Sequence, residues 1–133
     1  MSSIAEAQAL IDAATTTRLA GENVIKGNQD DSDFSNGSQP YATQRVIWTD
    51  HKQLVLGNLD ATRHEGYLLF VIYTPKGAGD GQRNTLLDKV VKSFKSQPIG
   101  DVSMRGRVRT VNQGSSGQWS LTGVQIPFYT DEI

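Results

Sequence analysis

The run Tyr67-Leu68-Leu69-Phe70-Val71-Ile72-Tyr73, the loop Pro75-Lys76-Gly77-Ala78-Gly79-Asp80-Gly81 and the segment Gln82–Ser96 together decide the fold. The run is apolar at both alternating sets of positions, so it predicts a central strand covered on both faces over Gly66–Pro75. Proline and the glycines then stop it, because proline cannot continue a ladder and glycine favours turn geometries. In the segment that follows, Leu86, Leu87, Val90, Val91 and Phe94 fall on one helical face. Lys89, Lys92, Ser93 and Lys95 fall opposite, which predicts an amphipathic helix lying on a sheet.

Working outward, 133 residues with 37% hydrophobic content suit one domain with a core of its own. The chain has no cysteine, which excludes disulfides and thiolate chemistry. No apolar stretch approaches the roughly 20 residues of a membrane span, and the first residues lack the basic and apolar regions of a secretory signal. The expectation is a protein of a cytoplasm, or of a particle assembled there, with no membrane partner. A formal net charge of −1 argues against a dedicated nucleic-acid binder.

Toward the N-terminus, Ser3-Ile4-Ala5-Glu6 has capping-box spacing. Ile4, Ala7, Leu10, Ile11 and Ala14 recur at helical spacing, which predicts a first helix over about Ser3–Leu19. Gly21–Pro40 reads as a long variable loop, anchored only by Val24, Ile25 and Phe34. Tyr41–Thr49 and Gln53–Gly57 read as two strands around a polar turn at Asp50-His51-Lys52. Beyond the second helix, Asp101–Val111 alternates, Asn112–Gly117 reads as a hairpin loop, and Trp119–Tyr129 returns. Gly123 marks an expected bulge, and Pro127 calls for an edge or a ladder-free position. The predicted class is therefore α+β: a single domain with a mixed, mostly antiparallel β-sheet flanked by two α-helices.

Chemical motifs are few. The Gly77–Gly81 loop sits where a phosphate loop would, but it lacks both the dinucleotide spacing and a following Lys-Ser/Thr, and Asp80 would repel phosphate. The bland reading is a strand-to-helix turn. Asp30, Asp31 and Asp33 invite a cation, yet Asn36 and Ala42 stand where a calcium loop needs glycine and glutamate. That leaves an exposed acidic loop, or a weak magnesium site. Arg105, Arg107 and Arg109 fall on one face of the predicted strand, about 7 Å apart. They read as a solvated face, or as a charged ladder that meets carboxylates or DNA. His51 and His64 read as isolated surface residues, and no nucleophile elbow occurs, so the chain is expected not to be an enzyme and to need no cofactor.

Several separated elements occur in a telling order: Leu56-Gly57, Arg63, Gly66, Tyr73-Thr74-Pro75, the Gly77/Gly79 loop, a helix ending at Phe94, and Val124-Gln125-Ile126-Pro127-Phe128-Tyr129. Over about Tyr41 to Asp131 the chain resembles the tail terminator proteins of long-tailed bacteriophages; the first forty residues match only in outline. The resemblance implies a non-enzymatic virion protein at the head-proximal end of the tail. Such proteins form a homohexameric ring that caps the tail tube, stops its polymerisation and offers a surface to the head-side connector. Its implied partners are further copies of itself, the tube protein and a connector or neck protein, with non-specific contact to genomic DNA in the channel. A ring needs two unlike patches on each subunit. Arg105, Arg107 and Arg109 with Asp30, Asp31 and Asp33 are the candidates for an inter-subunit or lumen-facing role. Two alternatives stand beside this reading: another neck or head-completion protein, and a nucleotide- or nucleic-acid-binding domain.

Overall fold

The computed structural model describes residues 3–27, 37, 39–56, 59–77 and 79–132. Helix α1 (Ile4–Arg18) leads into a short strand β1 (Val24–Lys26), then the long strands β2 (Tyr41–Leu56) and β3 (Leu59–Pro75). Helix α2 (Gly81–Phe94) follows, then β4 (Ser103–Met104), β5 (Arg109–Ser116) and β6 (Trp119–Glu132). The strands form one six-stranded sheet in the order β1-β2-β3-β6-β4, with β5 also paired to β6. Only β1 and β2 run parallel; the other pairs are antiparallel. The α+β class read from the sequence holds.

Strand β3 is central, between β2 and β6, as its apolar run predicts. Leu68, Phe70 and Ile72 are fully buried on one face, against Leu86, Val90 and Phe94 of α2 and Ala7 and Ile11 of α1. Phe70 and Phe94 meet with ring centroids 5.2 Å apart. The alternate residues Tyr67, Leu69 and Tyr73 are only half-buried. The expected cover on both faces is thus uneven. Both helices pack on the same side; the other face carries no helix among the described residues and is covered only in part, with Val71, Tyr41 and Trp119 buried beside half-buried Tyr67 and Leu69.

Helix α1 starts with the predicted capping box: Glu6 N–H donates to Ser3 Oγ, and Ser3 N–H to Glu6 Oε1. Its buried stripe is Ala7, Ile11 and Thr15; Ile4, on the same side but at the helix start, and Leu10, at the flank of the stripe, are 40% and 36% exposed.

Four loop and turn readings also change. Asp50-His51-Lys52 is not a turn; β2 runs through it, with a bulge between Trp48 and Asp50 that absorbs the local polarity. Gly66 sits opposite Trp48 at that irregularity, where a Cβ would collide with the Ile47 carbonyl oxygen. Part of the loop Gly21–Pro40 is strand β1, held by buried Ile25 and paired with Ala42–Gln44. The hairpin between β5 and β6 is shorter than expected: Ser116 pairs with Trp119, so the turn is Gly117-Gln118, with Gly117 at φ 57°. Gly123 is no bulge; it stays in register with Val71 and Val111, and its missing side chain makes room for the Gln113 amide.

Candidate interaction surface

The helix-free face is built by strand alternation. Residues opposite one another across antiparallel strands point to the same side, so the register places Ile47, Tyr67 and Pro127 in one row. Arg45, Leu69, Gln125 and Arg109 form the next row, across four strands. An aromatic cluster closes one end of this face: Tyr41 stacks on Tyr73 at 4.4 Å, and Trp119 meets Tyr41 edge-on at 5.2 Å. Beyond the cluster the floor stays half-buried, with Ile47, Tyr67, Leu69 and Pro127 meeting solvent.

Arg105, Arg107 and Arg109 do not form one strand ladder, contrary to the alternation. Met104 pairs with Phe128 and Arg109 with Gln125, so Arg105–Val108 cross a gap of only two residues on β6. Pro127 explains the break. Its carbonyl accepts a 2.9 Å hydrogen bond from the Arg105 N–H, but it has no N–H to return, and the chain bulges at Gly106. Pro127 is therefore ladder-free on that side, as expected of a proline within a strand.

The bulge gives the arginines different roles. Arg105 turns back to Glu65 at 3.7 Å and lies over the Tyr129 ring at 5.0 Å. Arg107 and Arg109 instead line a groove with Tyr67, Val108, Gln125 and Pro127 on the helix-free face. Among the described residues, Arg18, Arg63, Arg83 and Arg105 are all engaged: on carbonyls, Asp131, Asp80 and Glu65. Arg45, Arg107 and Arg109 are exposed and make no ion pair or hydrogen bond among the described residues. All three belong to the helix-free face.

At the far end of that face the charges are balanced. Arg63 binds Asp131 through two hydrogen bonds, 2.8 and 2.9 Å, with its guanidinium 4.2 Å from the Tyr129 ring centre. Those hydrogen bonds, and the positive charge behind them, hold the Asp131 carboxyl below its ordinary range and raise Arg63 in turn. Lys52 lies 3.5 Å from Asp50 and 3.6 Å from Glu65.

The histidines are a correction. His51 and His64 are cross-strand partners, with Nδ1 atoms 2.7 Å apart, and buried His64 reaches Glu132 Oε1 through Nε2 at 3.0 Å. Trp48 packs against both rings. The sequence carried one signal for this pairing: Gly57-Asn58 is a hairpin dipeptide, and a hairpin about it sets 51 opposite 64. Among the described residues no group of three or more His, Asp or Glu side chains could hold a metal ion. Asp30, Asp31 and Asp33, the predicted acidic candidates, lie outside the described residues. No helix among the described residues is long and apolar enough to cross a membrane.

No family's sequence profile matches this chain. Nor does any curated protein. Among solved structures, one chain that carries no descriptive name is 18% identical over 95% of each chain, with a TM-score of 0.58. At that identity the likeness is one of fold.

Proposed function

We propose that this chain is a tail terminator of a long-tailed bacteriophage. It forms a homohexameric ring that caps the tail tube, stops its polymerisation and receives the head-side connector. The observation that carries the reading is the ordered resemblance, whose elements fall at joints of the fold. Tyr73-Thr74-Pro75 ends the central strand, Gly77 and Gly79 form the turn at positive φ, Phe94 ends α2, and Val124–Tyr129 lie in β6 beside β3. A subunit with one helix-free, cation-bearing sheet face and a helical layer on its other side also supplies the unlike surfaces a head-to-tail ring requires. In this reading the free Arg107 and Arg109 meet a neighbour or the channel, with Asp30, Asp31 and Asp33 as further inter-subunit candidates.

Electron microscopy of particles assembled without this chain tests the reading. Overlong tails are expected. Tails of normal length detached from heads would instead assign a neck or head-completion role. The free arginines favour one further reading, contact with passing DNA through phosphates alone; genome delivery impaired in otherwise intact hexamers of Arg107→Asp would identify it.

A further inference from the structure

We infer that His51 and His64 form a two-histidine chelate for a late first-row divalent metal ion, copper(II) or nickel(II), held between their Nδ1 atoms. The inference goes beyond the tail-terminator reading and does not rest on it.

The hairpin register brings the two rings together. Strands β2 and β3 pair His51 with His64, and residues paired in this way put their side chains on one face of the sheet. Their Nδ1 atoms are 2.7 Å apart. Two nitrogens that each bind one ion at roughly 2.0–2.1 Å stand about 2.9 Å apart at a right angle, and about 3.3 Å apart at the tetrahedral angle. The spacing here is nearer the right angle. That angle belongs to square-planar and tetragonal sites, which are those of copper(II) and nickel(II), rather than to tetrahedral zinc.

His64 already has the surroundings of a metal ligand. Its Nε2 lies 3.0 Å from Glu132 Oε1, and a carboxylate in that place takes the Nε2 proton and leaves Nδ1 with its lone pair. Metal-binding imidazoles are oriented and made more basic by this same outer contact. The His64 ring is also buried, with Trp48 edge-on at 6.2 Å, so its direction is fixed before an ion arrives. His51 is exposed and gives entry from solvent. With His64 Nδ1 as the acceptor, the proton between the rings sits on His51 Nδ1. An ion takes the place of that proton, which His51 then carries on Nε2.

The donor set also decides which ions are excluded. Among the described residues no third His, Asp or Glu side chain converges on this pair, so water completes the coordination and the ion exchanges readily. Magnesium and calcium demand oxygen ligands, and two imidazoles do not supply them.

Trp48 is a built-in reporter, with its ring 6.4 Å from that of His51 and 6.2 Å from that of His64. Copper(II) titrated into the full chain in a non-coordinating buffer near neutral pH is expected to quench it, saturating at one ion per chain. The other tryptophan, Trp119, pairs with Pro75 where Trp48 pairs with Gly66, about 30 Å away along β3. Trp48→Phe is therefore expected to abolish the quenching. His51→Ala and His64→Ala are each expected to weaken binding by about a hundredfold, and Glu132→Gln by about tenfold. Nickel(II) should raise the melting temperature of the wild type and of Trp48→Phe, but not of His51→Ala, because only a folded chelate binds it. Magnesium should do neither. Electron paramagnetic resonance of the one-to-one copper complex is expected to show two imidazole nitrogens. His51 is at the surface, so His51→Ala carries the test even where His64→Ala does not fold. Copper binding of wild-type affinity in folded His51→Ala overturns the inference, and so does a resonance spectrum with fewer than two nitrogens. A wild-type chain that neither quenches with copper nor gains stability with nickel leaves the two rings a hydrogen-bonded pair and nothing more.

Discussion

His51 Nδ1 and His64 Nδ1 lie 2.7 Å apart across β2 and β3, close enough that one must donate and the other accept. His64 also touches Glu132 through Nε2 and is 6% exposed, whereas His51 is at the surface. The contact therefore holds a single N–H between the two rings.

The asymmetry of that pair gives the first prediction. His64→Ala removes a buried ring between Glu132, His51 and Trp48 and is expected to cost about 1–3 kcal/mol, the range for breaking a buried polar contact. His51→Ala leaves the His64 Nδ1 without this partner but removes an exposed ring, so it should cost less, about 0.5–1.5 kcal/mol. Urea unfolding of both variants measures this. Equal losses at the two sites would show that burial does not separate them.

Asp131 gives a pH dependence with a definite sign. Its carboxyl is held below the ordinary range by the Arg63 hydrogen bonds, so the folded state binds its proton more weakly than the unfolded chain does. The stabilisation is fully present above the ordinary carboxylate range and disappears as pH falls through the lowered folded value. Because both side chains are partly exposed, solvent screens the pair and its contribution at neutral pH is small. Arg63→Ala should lose that amount at pH 7 and converge with the wild type in strong acid. A constant difference at every pH would assign the loss to the Tyr129 contact instead.

Phe94 tests the seat of α2. It is fully buried against Phe70, and Phe94→Ala should cost about 3–5 kcal/mol in equilibrium unfolding. A loss below about 1 kcal/mol would mean that the helix does not close the core through this ring.

The parts of this fold that were legible in the sequence are those where one periodicity rules. The helix face ending at Phe94, the capping box at Ser3 and the central place of β3 each follow from local spacing. What escaped was long-range. The polar stretch Asp50-His51-Lys52 reads as a turn by composition, yet pairing with Arg63–Glu65 carries the strand through it. Arg105–Arg109 alternate perfectly, but the missing N–H of Pro127, two strands' worth of sequence away, breaks their ladder. Which side of β3 takes the helices could not be read from an apolar run that is alike on both sides. Only the docking of α1 and α2 on the Phe70 side decides it.

Gln44 offers the last prediction. It occupies the core side of β2 opposite Phe70, is 0% exposed, and neither its Oε1 nor its Nε2 has a hydrogen-bond partner among the described residues. A buried amide left in that state costs about 1–3 kcal/mol relative to an apolar group of similar shape. Methionine matches its length and flexibility. Gln44→Met is therefore expected to raise stability by an amount within that range, measured as a higher urea midpoint with an unchanged slope. Gln44→Ala separates the polar cost from the packing: it opens a cavity and should lose stability even as it removes the amide. If Gln44→Met lowers the midpoint instead, the amide is satisfied in solution, and the polar group is a structural asset of this sheet.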